Sequence, residues 1–221
     1  MKPIALLRVA CALAALLLLS ACATHKPYDY TAFKASHPAS ILVLPPVNNT
    51  PEVTASNAVL SYTTRPLAES GYYVIPVTLA AETFKENGLT QPSDIHAAPI
   101  AKLREIFGAD AALYITIANY GTVYQVLSSA TIVTADARLV DLKSGTLLWH
   151  GHASASSDEA NGQNQGGLAV LLITAIVKQV VANVTDPSYR VAGITTNRLL
   201  SAGVPNGILF GPRSPYYAPE K

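Results

Sequence analysis

The stretch TIVTADARLV, Thr131 to Val140, decides the fold of this chain. Val133, Ala135, Ala137 and Leu139 fall on one side of an extended chain, and Thr134, Asp136 and Arg138 on the other. That period of two marks a strand with one buried and one wet face. Lys143-Ser144-Gly145 follows as a turn, and Thr146 to Ala155, which carries Trp149, is the partner strand. Upstream, Ala111 to Ala118 alternates in the same way, with Leu113, Ile115 and Ile117 on one face. Val123 to Leu127 continues or bends that strand past Gly121. The three runs predict an antiparallel meander.

Outward from the meander the pattern changes. Ile41 to Val47 (ILVLPPV) reads as a buried strand ended by Pro45-Pro46. Thr54 to Ser70 is helix-like, with Val59, Tyr62 and Leu67 near one face, a kink or new turn at Pro66 and a stop at Gly71. Tyr72 to Val77 is a second strand, Leu79 to Asn87 a short helix closed by Gly88, and Gln91 to Ala98 a loop. Pro99 to Phe107 is a helix that opens on proline and ends at Gly108. After the meander come a polar loop, Ser154 to Gly167, an apolar helix, Leu168 to Val184, and from Thr185 an irregular tail rich in proline. Leu199-Leu200 and Ile208-Leu209-Phe210 are the pieces expected to clamp that tail. The expected fold is α+β: a mixed sheet of about five strands, opening β-α-β and closing in the meander. Helices pack on one face or also at an end.

The amino end says where the protein works. Lys2 and Arg8 precede an apolar run, Ala10 to Leu19, too short to span a bilayer comfortably, and Leu19-Ser20-Ala21-Cys22 follows. This is a secretory signal over residues 1–21. Cysteine at the cut site resembles the bacterial lipobox; the alternative is a plain signal that happens to contain a cysteine. The resemblance implies a diacylglycerol thioether on Cys22, cleavage before it and fatty acylation of the new amino terminus. Under the enterobacterial sorting rule that the lipobox evokes, Ala23 implies the outer membrane, on its periplasmic face or at the cell surface. One acyl chain anchors marginally and two anchor stably, so three would make release negligible. Residues 22–40 are polar, contain Pro27 and Pro38 and show no period. They read as a tether, which leaves 41–221 as a single domain with its tail docked.

Composition excludes several classes. Without the signal the chain carries one more acidic than basic residue, so no basic face for nucleic acid is expected. Cys11 leaves with the signal and Cys22 is consumed by lipid. No thiol remains for a disulfide, a zinc-cysteine site or a nucleophile. Half of the residues are apolar and 13% are charged, the balance of a packed globular domain rather than a disordered one.

Several runs together resemble a known family: ILVLPPVNNTP (41–51), ESGYYVIPV (69–77), GADAALYITI (108–117), VDLKSGTLLWHG (140–151) and NRLLSAGVPNGILFGP (197–212). The family is one of Gram-negative lipoproteins of unknown function, typified by a meningococcal lipoprotein vaccine antigen. The opening is also similar to the amino-terminal domain of TolB and to the periplasmic domains of CsgG and LpoB. The resemblance implies a scaffolding, export or regulatory module with a CsgG-like lipoprotein partner. It carries no catalytic residue onto this chain.

The chemistry-bearing residues read plainly. His150 and His152 point the same way on a strand and could share a metal. A site needs a third ligand, and His25, His37 and His96 lie in the tether or loops, so no metal is expected. The Gly-x-Ser-x-Gly elbow of a serine hydrolase is absent. Asp158-Glu159 lacks the oxygen spacing of a calcium loop. Asp136 and Arg138 pair with neighbours across the sheet. Asn161 to Gly167 lacks the lysine and hydroxyl of a phosphate loop and reads as a connector. No cofactor and no catalysis are expected.

The apolar helix is the candidate interface, through Leu168, Leu171, Leu172, Ile173, Ile176, Val177 and Val180. A helix apolar nearly all round must be covered on more than one side. Either the tail or a partner subunit supplies the second cover. Two functional readings result. The first is a non-enzymatic lipoprotein, oligomeric, serving as a structural or assembly component of an export or transport complex. The second is a binding module for a glycan, lipid or small molecule, which a pocket lined by Tyr114, Tyr120 and Tyr124 would favour.

Overall fold

Ile41, Leu42, Val43 and Leu44 are all almost fully buried, so the strand they form is covered on both faces. The computed structural model describes residues 28–124, 129–160 and 187–218. That strand, β1 (Ser40–Val43), lies between β3 (Tyr73–Val74) and β4 (Ala111–Tyr124) and runs parallel to both. Pro45-Pro46 cannot donate to the ladder, but they interrupt the strand rather than end it. The chain resumes as β2 (Val47–Asn48) and pairs with β4 at Thr116 and Ile117.

The meander forms as its alternation predicts. β5 (Ser129–Asp141) pairs antiparallel with β4 and with β6 (Leu147–Ser156). The order is β3-β1-β4-β5-β6, with β2 also on β4, a mixed sheet of six strands in an α+β fold. One irregularity matters. Ile117 faces Ala135 but Asn119 faces Thr134, so Ala118 is an extra residue in β4. Such a bulge reverses the side-chain alternation beyond it.

Eight helices are described: α1 (Thr31–Ser36), α2 (Ala55–Ser61), α3 (Thr64–Glu69), α4 (Val77–Glu86), α5 (Pro92–His96), α6 (Ile100–Phe107), α7 (Ser157–Ala160) and α8 (Pro187–Leu200). Pro66 lies in the first turn of α3, where its missing N–H costs nothing. Gly108 takes the left-handed conformation that stops α6. Helices cover both faces of the sheet's parallel half. A large core joins Ile41, Leu113, Ile115, Val133, Leu139 and Trp149 to α2, α3, α8 and the tail. A smaller one, on the opposite face, joins Leu42, Leu44 and Ala112 to Phe84 of α4, Ile95 of α5 and Leu103 of α6. Behind β5 and β6 that second face stays wet, with Asp136, Arg138, His150 and His152 exposed.

Four expectations change. Residues 28–40, read as tether, are folded: α1 packs on β6 and Phe33 is buried in the large core. The aromatic residues Tyr28, Tyr30 and Phe33 supply the burial that the polar composition concealed. Gln91 to Ala98 contains α5. The second strand is only Tyr73–Val74, because Pro76 ends the ladder and α4 starts at Val77. The tail from Thr185 includes a 14-residue helix, α8. Its rows 191/195/199 and 192/196/200 are buried, and Thr195 and Thr196 sit within them. Those threonines hid the helical period; the Thr195 hydroxyl is satisfied by donating to the Val133 carbonyl at 3.1 Å. The apolar run 168–184 lies outside the described residues.

Candidate functional site

The two ends of the described chain meet, and they meet through side chains that the sheet positions. Trp149 projects from β6 into the large core and donates its indole N–H to the Asn206 carbonyl at 2.9 Å. Tyr30, just before α1, donates its hydroxyl to the Gly207 carbonyl at 2.6 Å. Tyr72, deeply buried and with its pKa raised by that burial, donates to the Leu209 carbonyl at 2.5 Å. The tail backbone then runs along Ser70 and Gly71. Gly211 N–H donates to the Ser70 carbonyl and Arg213 N–H to the Gly71 carbonyl. A Cβ on Gly71 would stand 2.3 Å from the Ser214 nitrogen, so only glycine admits the tail here. Farther along, the Tyr217 hydroxyl is 2.9 Å from His37 Nδ1. The tail segment 206–217 thus touches the amino-terminal segment as well as the sheet.

Tyr28 extends the contact onto the edge of the sheet. Its hydroxyl accepts from the His150 backbone N–H at 3.0 Å and lies 3.0 Å from Nδ1 of the same residue. Arg198 of α8 donates to the Ser154 carbonyl and pairs with Glu159 at 2.8 Å. Both contacts occupy polar groups along β6, the last strand, where an open edge would invite pairing. Asp141 ties α1 to the hairpin. Its carboxylate accepts from the Ser36 hydroxyl at 2.5 Å and from Lys143 N–H, Ser144 N–H and the Ser144 hydroxyl. Burial works to raise its pKa, and these hydrogen bonds outweigh burial and hold it below the ordinary value.

Two cavities flank α1. One of about 310 Å³ is lined by Phe33, Lys34, His37, Pro38, Leu209, Phe210, Tyr216, Tyr217 and Ala218. The other, about 480 Å³, is lined by Tyr28, Asp29, Tyr30, Thr31, Lys34, Ala35 and His37. A third, about 250 Å³, sits beside the β4 bulge and includes Asn49, Asn119, Tyr120 and Thr122.

The residues singled out in the sequence fall as follows. Cys22, His25, Asn161 to Gly167 and the candidate interface Leu168, Leu171, Leu172, Ile173, Ile176, Val177 and Val180 lie outside the described residues. His150 and His152 share the wet face, but they take different partners. His152 Nδ1 is 2.7 Å from the Asp136 carboxylate, and His150 meets Tyr28. Arg138 lies 5.6 Å above the Tyr114 ring, the cross-strand pairing expected of it. His96 is held at the Pro45 carbonyl, 2.9 Å away. Burial lowers its pKa first, Arg138 adds to that, and the Pro45 bond opposes it. Among the described residues no three His, Cys, Asp or Glu side chains converge as metal ligands. Tyr114 and Tyr120 do not line one pocket, and the Tyr124 side chain lies outside the described residues. The bulge at Ala118 sends Tyr120 into the large core, whereas Tyr114 lies in the small one. The aromatic groove around α1 was missed, because Tyr28, Tyr30 and Phe33 were read as tether. Their bunching within six residues was the available signal.

A mixed sheet of six strands, with the two ends of the described chain held together beside it, defines a small α+β domain. The lipoprotein GNA1162-like family model matches residues 28–213, and the chain belongs to that family. It is 50% identical over 215 residues to the lipoprotein NMB1124/NMB1162 of Neisseria meningitidis serogroup B, covering 96% of this chain and 97% of that protein. The crystal structure of lipoprotein GNA1162 from Neisseria meningitidis superposes with a TM-score of 0.53 at 48% identity, covering 65% of this chain and 98% of that one. The carboxy-terminal domain of LpoB from Escherichia coli matches at 16% identity and a TM-score of 0.37, over 58% of this chain and 98% of that one. Among the described residues no helix is long and apolar enough to cross a membrane.

Proposed function

We propose that the mature protein is anchored at the outer membrane through acylated Cys22 and works by contact rather than catalysis. In this reading it is an oligomeric structural or assembly component of an export or transport complex beside a CsgG-like lipoprotein. The observation that supports it most is the docking of the amino-terminal segment. Tyr28 is six residues after Cys22 and is already fixed to β6. The domain is thus held within about 20 Å of its lipid, close enough to meet partners anchored in the same membrane. The apolar residues Leu168, Leu171, Leu172, Ile173, Ile176, Val177 and Val180 remain the proposed contact. Crosslinking in intact cells, followed by pull-down from membranes with and without the CsgG-like neighbour, tests this. A discrete complex that disappears with the neighbour is the expected result. Recovery of the monomer alone in both strains would overturn it.

The binding-module reading retains one observation in its favour, the groove between α1 and the tail. Its lining is largely apolar, with Phe33, Phe210, Tyr216 and Tyr217 among its residues, and its size falls within the range of small-ligand sites.

A further inference from the structure

A groove of about 310 Å³ opens at the surface between α1 and the tail. Phe33, Leu209, Phe210 and Tyr216 give it apolar walls, and Lys34 and His37 stand at its polar end. The same two residues line the adjoining 480 Å³ cavity, which reaches back to Tyr28. The two pockets adjoin at Lys34 and His37, and the second lies beside Tyr28, where the described chain starts.

The chain before the groove is short. Tyr28 lies six residues after Cys22, a reach of at most about 20 Å. Anything carried on Cys22 is therefore confined to the neighbourhood of the groove, at the high effective concentration that a short linker imposes. A fatty acyl chain suits the site chemically. It has a long apolar body for the walls and one ester or amide end for the polar mouth. We propose that one of the acyl chains on Cys22 folds back into this groove, its body against Phe33, Leu209, Phe210 and Tyr216 and its carbonyl end toward Lys34 and His37. This rests on the acylation of Cys22 proposed above and specifies the ligand of the binding-module reading. Two chains left in the bilayer still anchor stably. Seating the third fixes the orientation of the domain without releasing it.

The test uses the full-length protein in cells fed a fatty acid that carries a photoactivatable diazirine. After irradiation the protein is purified and digested, and its crosslinked peptides are identified by mass spectrometry. The expected result is a crosslink within one chain, from the acylated Cys22 peptide to the segment containing Leu209 to Ala218. Ala218→Trp, at an exposed position on the mouth, should fill the groove and reduce that crosslink at least fivefold while Cys22 stays labelled. A labelled Cys22 whose crosslinks go only to phospholipid or to other proteins would overturn the proposal. So would equal labelling of the tail in Cys22→Ser, because the acyl chain would then come from the bilayer. A Cys22 peptide without label would refute acylation itself, an outcome distinct from both of these.

Discussion

The two hydrophobic cores on either side of the sheet are built on different plans. The large one draws on every long strand and is closed by distant parts of the chain, α1, α8 and the tail. The small one is nearly local: α4, α5 and α6 follow one another over residues 77–107 and cover β1, β4 and the end of β5. The large core therefore depends on contacts between the ends of the described chain, whereas the small core depends on a single excursion. The large core should set global stability, and the small one should open by itself.

The strongest way to break this contrast is Trp149→Ala. It removes the largest fully buried side chain and the hydrogen bond that holds Asn206. Urea unfolding should show a loss of about 3–5 kcal/mol, with the tail and sheet lost together. Leu103→Ala, in the small core, should cost about 2–4 kcal/mol. In hydrogen exchange its effect should concentrate in residues 77–107. Equal acceleration throughout β5 and β6 would show that the two cores are one cooperative unit.

Asp141→Asn sharpens the role of the amino-terminal segment, because this carboxylate holds Ser36 to the hairpin. A loss of about 1–2 kcal/mol is expected at pH 7 from weaker charge-assisted bonds. The folded-state pKa is lowered, so this stability is fully present above the ordinary value of 3.8. It fades as pH falls from there toward the folded value. The gap between wild type and variant should be flat from pH 7 to 5 and close below that value. The smallest effect concerns His96, between the small core and the wet face. Its pKa is lowered, so protonation disfavours the fold. Stability should be full above the ordinary value of 6.5 and decline as pH falls below it. His96→Gln, which keeps a donor for Pro45, should flatten the thermal midpoint between pH 7 and 5.

The meander was legible because each of its strands has one wet face, and alternation is the direct trace of that geometry. Asp136 and Arg138 lie where the alternation places them. The bulge was not legible. One extra residue at Ala118 follows from the pairing of β4 with two neighbours, and no local pattern records it. Helix α8 was hidden because two of its core positions are threonines, and Thr195 needs a particular carbonyl on β5. For the candidate site, the tail's clamping pieces were visible as apolar clusters. The partner they grip was not, because three aromatic residues in a polar stretch become a docking element only once β6 and the tail lie beside them.

The lipid anchor proposed at Cys22 would also be a mechanical attachment. Tension applied at the amino end reaches the domain at Tyr28, and the contacts that follow lie in series. His150 releases Tyr28, Gly207 releases Tyr30, then Phe33 leaves its pocket and Ser36 leaves Asp141. Each can part alone and close again when the load falls. Beyond them the load meets β1, which is held by ladders on both sides and cannot yield one bond at a time. Under the anchoring proposed at Cys22, residues 28–39 would therefore give way before the sheet is loaded.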